Sequence, residues 1–286
     1  MKIFSYIFLF AFVISLSGCA IIDAILGQRV QEPAVKVESV DFGSVSFESL
    51  ELLFNIMIEN PNQLGISLSS FDYELLLNDQ SFVKGDQREG MQIDANATSS
   101  VQIPVSLTFR DIIESVQSVA RQDTSRYQFK SGFAFSLPVI GNVHIPVQRS
   151  GDIPVIKTPS ISVAHFKIDN ISFTGADATL ALNVKNPNAF SLGLQNMQYT
   201  FAIDGINVLQ GRGDKNISIN RNDDSRVELP VSINFADFGQ TIYRILRGEQ
   251  SAQFRLNGSA TFDSSLDFFR NIPLHFDTSG DLPLVR

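Results

Sequence analysis

The chain has 286 residues, a length that suits two domains, and its 44% apolar content lets each build a core. A formal net charge of −8, from 22 Lys and Arg against 30 Asp and Glu, speaks against nucleic acid and against a polybasic lipid-headgroup patch. With one cysteine, no intrachain disulfide can form.

Lys2 is the only charge before Asp23, and Ile3 to Leu16 is almost wholly apolar. That run is too short to span a bilayer, which takes about 20 residues. A short apolar run behind a positive N-terminus reads as a secretory signal peptide, here residues 1–18. Leu16-Ser17-Gly18-Cys19 resembles the bacterial lipobox. The resemblance implies cleavage before Cys19, diacylation of its sulfur by palmitate-type chains and acylation of the new amine. Two chains suffice for stable anchoring, so the chain is expected to be held at a membrane without crossing it. Ala20 stands where an aspartate would resemble an inner-membrane retention signal, which favours the outer membrane, at its periplasmic face or the surface. Residues 19–32 read as a lipidated tether.

The first domain is expected over 33–156. Leu50, Leu52, Phe54, Ile56 and Ile58 alternate with more polar residues, the period of a half-buried strand. Asn60-Pro61-Asn62 stops it, because proline drives the preceding residue out of the helical region and asparagine suits turns. Phe71, Tyr73, Leu75 and Leu77 make a second strand, and Asn78-Asp79 a hairpin turn. Val101 to Phe109 makes a third, with Pro104 on its outward phase, so an edge strand or a bulge is predicted. Asp111 is expected to cap a helix carrying Ile112, Ile113, Val116 and Val119. Tyr127, Phe129, Phe133 and Phe135, then Val139 to Val147, read as the last strands.

The second domain, 157–286, repeats this order. Asn186-Pro187-Asn188 follows the first turn at an offset of 126, as do Tyr199 after Tyr73, Gly211 after Gly85 and Pro230-Val231-Ser232 after Pro104-Val105-Ser106. Asp237 opens the helix of Phe238, Ile242, Ile245 and Leu246, and Gly248 can end it. Gly280-Asp281-Leu282-Pro283 matches Gly151-Asp152-Ile153-Pro154 at an offset of 129, so the length changes fall in loops. A period this long is a duplicated domain, since solenoid repeats run about 20–50 residues.

The two Asn-Pro-Asn turns, with Tyr73 and Tyr199 and the two Pro-Val-Ser strands, resemble the type 2 late-embryogenesis-abundant proteins, the family of the water-stress and hypersensitive-response domain. The resemblance covers roughly 35–154 and 160–283. It implies two tandem β-sandwiches of immunoglobulin or fibronectin type III character, each with one short helix. It also implies a non-enzymatic protein tied to desiccation and other stress.

Chemistry-bearing motifs are few. His144, His165 and His275 stand far apart in sequence, no metal-ligand spacing or nucleophile elbow occurs, and no cofactor is expected. Asn222-Asp223-Asp224 reads as a solvated turn rather than a calcium site, and Arg212-Gly213-Asp214 as hairpin chemistry. The Asn-Pro-Asn turns carry two readings. Asn60, Pro61, Asn62, Asn186, Pro187 and Asn188 either fix a corner between strands or form a polar recognition tip, the corner being preferred. The expected function is a non-catalytic, membrane-anchored envelope lipoprotein with a protective or binding role. The abundant Phe, 24 residues, and the expected lipid anchor keep a lipid or apolar-ligand carrier open as the alternative. The envelope protein or lipid partner is not named by the sequence.

Overall fold

A computed structural model describes residues 30–285 except 89, 116–121, 139, 214 and 215. The expected signal peptide, Cys19 and nearly all of the tether lie outside the described residues, as does Asp214.

Two β-sandwiches follow one another. The first contains β1 (Ala34–Val45), β2 (Ser49–Glu59), β3 (Ile66–Leu77), β4 (Gln80–Gln87), β5 (Met91–Ile93), β6 (Thr98–Thr108), helix α1 (Phe109–Ser115), β7 (Thr124–Leu137) and β8 (Gly141–Pro154). One sheet has the order β1-β2-β6 and the other β4-β3-β7-β8, with β5 also on β3. Alternation on β2 puts Leu50, Leu52, Phe54, Ile56 and Ile58 fully inside, at about 1.5–3 kcal/mol per side chain. Phe54 stacks on Phe129 of the facing sheet, ring centroids 3.9 Å apart.

The second sandwich contains β9 (Ser160–Ile171), β10 (Gly175–Asn186), β11 (Leu192–Ile203), β12 (Ile206–Gly213), β13 (Ile217–Ile219), β14 (Asp223–Asn234), helix α2 (Phe235–Leu246), β15 (Gln253–Ser264), β16 (Ile272–Asp281) and β17 (Leu284–Val285). Its sheets run β14-β10-β9-β17 and β12-β11-β15-β16, with β13 on β11. The two-sandwich expectation is met. So is the position of the prolines: β6 and β14 are edge strands, with Pro104 opposite Leu53 and Pro230 opposite Thr179. The hairpin turns Asn78-Asp79 and Asp204-Gly205 have positive φ at both positions, which matches the twist of the flanking strands.

Three details go beyond the sequence expectation or differ from it. First, β1 and β9 carry no clean alternation because bulges interrupt their pairing. The register slips between Val37 and Ser39 on β1, and around Ala164 and Asp169 on β9, so the inward phase changes along each strand. Second, the helices begin before the aspartates. Asn234 is the N-cap of α2, its side-chain oxygen accepting from the Ala236 N–H at 3.1 Å, while Asp237 lies in the first turn. Asp111 likewise lies inside α1 and accepts from the Thr108 hydroxyl. Third, α2 is kinked at Gly239, where φ is 73°. Phe235, Ile242, Ile245 and Leu246 are its buried face, and Phe238 is only half-buried.

Each sandwich has two ends. At the corner end lies the Asn-Pro-Asn turn. At the tip end lies the β1–β2 turn or its equivalent between β9 and β10. The tip of the first sandwich meets the corner end of the second. Phe47 of that tip packs edge-on against Phe262 (5.6 Å) and Phe269 (5.2 Å), and Phe42 stacks on Phe268 at 3.9 Å. Phe190 closes the joint, 5.8 Å from Phe269.

Candidate functional site: the corners and the sandwich ends

The corners are built alike. The first asparagine stands at the end of the core strand, just after Glu59 in the first corner and as the last residue of β10 in the second, and both asparagine side chains turn inward. Asn60, Asn62, Asn186 and Asn188 are all buried, at 1%, 6%, 0% and 0% exposure, whereas Pro61 faces solvent and Pro187 is half-covered. The Asn186 amide donates to the carbonyls of Phe190 (2.8 Å) and Asn220 (3.0 Å). Its oxygen accepts from the backbone N–H and the side-chain amide of Asn188, both at 3.0 Å. Asn60 does the same with Leu64, Asp94 and Asn62. Buried amides satisfied on both sides stabilise; half-satisfied ones would not.

The second asparagine holds the incoming chain. Asn188 accepts from the Lys157 N–H at 2.7 Å and donates to the Lys157 carbonyl at 2.8 Å. Asn62 holds Gln31 in the same way, at 2.7 and 2.9 Å. Each corner is therefore a clasp that fixes where the chain enters its sandwich. This geometry agrees with the corner reading, and it leaves no asparagine head group free to meet a partner.

The repeated Tyr and Gly positions also have a physical account. Tyr73 is the cross-strand partner of Gly85, and Tyr199 that of Gly211. A Cβ built on Gly85 would fall 2.5 Å from the Tyr73 ring, so the ring lies where a side chain would be. Burial pushes the Tyr199 phenol above its ordinary pKa.

The other motifs are not gathered into a site. His144, His165 and His275 lie on β8, β9 and β16. Among the described residues, no group of three His, Cys, Asp or Glu could hold a metal ion. Asp223 accepts from the Asp224 N–H at 2.9 Å beside Asn222, whose φ is 51°, which is turn chemistry. Arg212 and Gly213 end β12. No helix among the described residues is long and apolar enough to cross a membrane.

Sequence reasoning missed the ends. In the second sandwich the tip is open: Phe173 is 94% exposed beside a cavity of about 680 Å³ lined by Phe235, Gly239 and Tyr243. The same groove in the first sandwich, between Phe47 and Phe109, is lined also by the linker residues Ile156, Lys157 and Thr158. The signal was available, since Phe173 follows Phe47 at the offset of 126 shared by the corners.

The family model described as late embryogenesis abundant protein matches residues 55–151 and again 181–280. The chain belongs to this family. It carries the family domain twice. A desiccation protectant protein of Glycine max is 28% identical over 134 residues, covering 47% of this chain and 86% of that protein. The late embryogenesis abundant protein Lea14-A of Gossypium hirsutum is 23% identical over 134 residues, 47% of this chain and 87% of its own length. Each of these relatives thus spans about one half of the tandem. Among solved structures, that of AT1g01470 from Arabidopsis thaliana is 22% identical, covering 44% of this chain and 83% of that one with a TM-score of 0.36.

Proposed function

We propose that the chain is a non-catalytic protein that protects the cell envelope against water loss, held at a membrane through Cys19. The observation that carries this reading is the double match to a family among whose relatives one is named a desiccation protectant and others desiccation-related. The lipobox-like Leu16-Ser17-Gly18-Cys19 supports the anchor, and Ala20 the outer membrane. The carrier alternative rests on the abundance of Phe and on the expected lipid anchor; the stacked core pairs Phe54–Phe129 and Phe166–Phe201 account for rings of that kind as packing. The protective reading is tested by drying calcein-loaded phospholipid vesicles with the purified protein and rehydrating them. Lower leakage than with an equal mass of serum albumin is expected, and equal leakage would count against protection. The anchor is tested separately. Cys19→Ser should leave the signal uncleaved and the protein without acyl chains; normal processing of that variant would defeat the lipoprotein reading.

A further inference from the structure

The exposed large apolar side chains among the described residues are Leu64, Ile140, Ile171, Phe173 and Val285. They fall at the two unpaired ends. Leu64, 41% exposed, lies in the loop of the first corner, and Ile140, 49% exposed, in the adjoining β7–β8 turn. Ile171 ends β9 and Phe173 is the tip that follows it; Val285 lies opposite Lys167 on the short strand running beside β9 towards that tip.

The repeat gives four of them a counterpart inside the molecule, and every counterpart is buried at or beside the joint. Phe173 corresponds to Phe47 (2% exposed), Val285 to Ile156 (1%), Leu64 to Phe190 (8%) and Ile140 to Phe269 (0%). One tip and one corner thus meet within the chain, and one tip and one corner of matching apolar character are left over.

We propose that a second copy of this chain covers them, the Phe173 tip of one copy docking on the Leu64–Ile140 corner of the next. Between copies this repeats the joint that Phe47 makes within one. The contact joins two different surfaces head to tail, so copies add one to the next, as open chains or as a ring where the rotation closes, and not through a self-complementary patch. The loop after β7 is shorter than that after β15, and the ring of Phe269 is replaced by the smaller Ile140, so the contact between copies is weaker than the internal joint. Association is expected in the micromolar to sub-millimolar range. The inference stands apart from envelope protection, since it is read in buffer without membrane or drying.

Residues 30–286 hold every described strand and the described core and contain no cysteine. Sedimentation velocity of this chain from about 1 µM to 1 mM should show a mass that rises with concentration past the dimer. Phe173→Ser and Leu64→Glu should each give monomer at the same concentrations with an unchanged unfolding midpoint. Mixed, they should give a dimer, because one variant keeps an intact corner and the other an intact tip. A parent that stays monomeric would overturn the proposal. So would a dimer plateau indifferent to Leu64→Glu, or a mixture that fails to pair. The proposal also falls if Phe173→Ser leaves self-association intact and instead abolishes binding to phosphatidylglycerol vesicles, which would make the tip a lipid-inserting one.

Discussion

Phe47 and Phe173 occupy equivalent turns of the two sandwiches and have opposite environments. Phe47 is 2% exposed and wedged among rings of the second sandwich, and Phe173 is 94% exposed beside an open groove. The corners, by contrast, are the same in both halves down to the bond: Asn62 to Gln31 and Asn188 to Lys157, each at 2.7 Å. What is identical in the two copies is what the fold needs. What differs is where a duplicated domain has been free to acquire a contact.

The largest way to break the comparison is at the tips. Phe47→Ala should cost about 3–5 kcal/mol, as for truncating a buried Phe, and should uncouple the two unfolding transitions in calorimetry. Phe173→Ala in dilute protein should stay within about 0.5 kcal/mol of the parent. Equal effects would mean that the joint does not exist in solution.

The corners should fail alike. Asn186→Ala strands the carbonyls of Phe190 and Asn220 and the N–H of Asn188, and Asn60→Ala does the equivalent in the first sandwich. With about 1–3 kcal/mol for each buried group left unpaired, either change should cost roughly 3 kcal/mol and lower the unfolding midpoint by about 10 °C. A loss in one sandwich only would show that the clasps are not equivalent.

Next in size is the Tyr–Gly pair. Gly85→Val and Gly211→Val push a side chain into the ring of Tyr73 or Tyr199 and should each cost about 1–3 kcal/mol. Tyr73→Ala should relieve the first, measurable as a double-mutant cycle, and additivity would contradict the packing account.

The smallest effect is electrostatic. A hydrogen bond from Arg255, 3.0 Å away, holds the Asp277 carboxyl below its ordinary pKa on the exposed face of the second sandwich. A depressed folded pKa contributes stability above the unfolded value, near 3.9, and loses it as pH falls through the folded one. Arg255→Gln should therefore lower the midpoint slightly at about pH 7 and not at about pH 2, where Asp277 is protonated either way. Exposed pairs contribute little, so a large drop at neutral pH would point to another role for Arg255.

Much of this architecture was legible in the sequence because the signals were local or repeated. β2 alternates without interruption, Pro104 marks an edge, and the paired corners announce a duplication. β1 and β9 were not legible, because their bulges break the period that identifies a strand. Of the corner, the turn was readable and the clasp was not. Its partners are backbone groups of Gln31 and Lys157, each 31 residues upstream, and any residue type supplies those. The joint was hidden for a different reason: whether a Phe in a turn is wedged or bare depends on what stands across from it, which no local pattern records.

The clasp is tested most directly by amide hydrogen exchange at Gln31 and Lys157, followed by NMR in the parent, Asn62→Ala and Asn188→Ala. Both amides should be protected in the parent. Asn188→Ala should release Lys157 and leave Gln31 slow, and Asn62→Ala should do the reverse. Fast exchange at both sites in the folded parent would contradict the account, since the asparagines would then hold nothing.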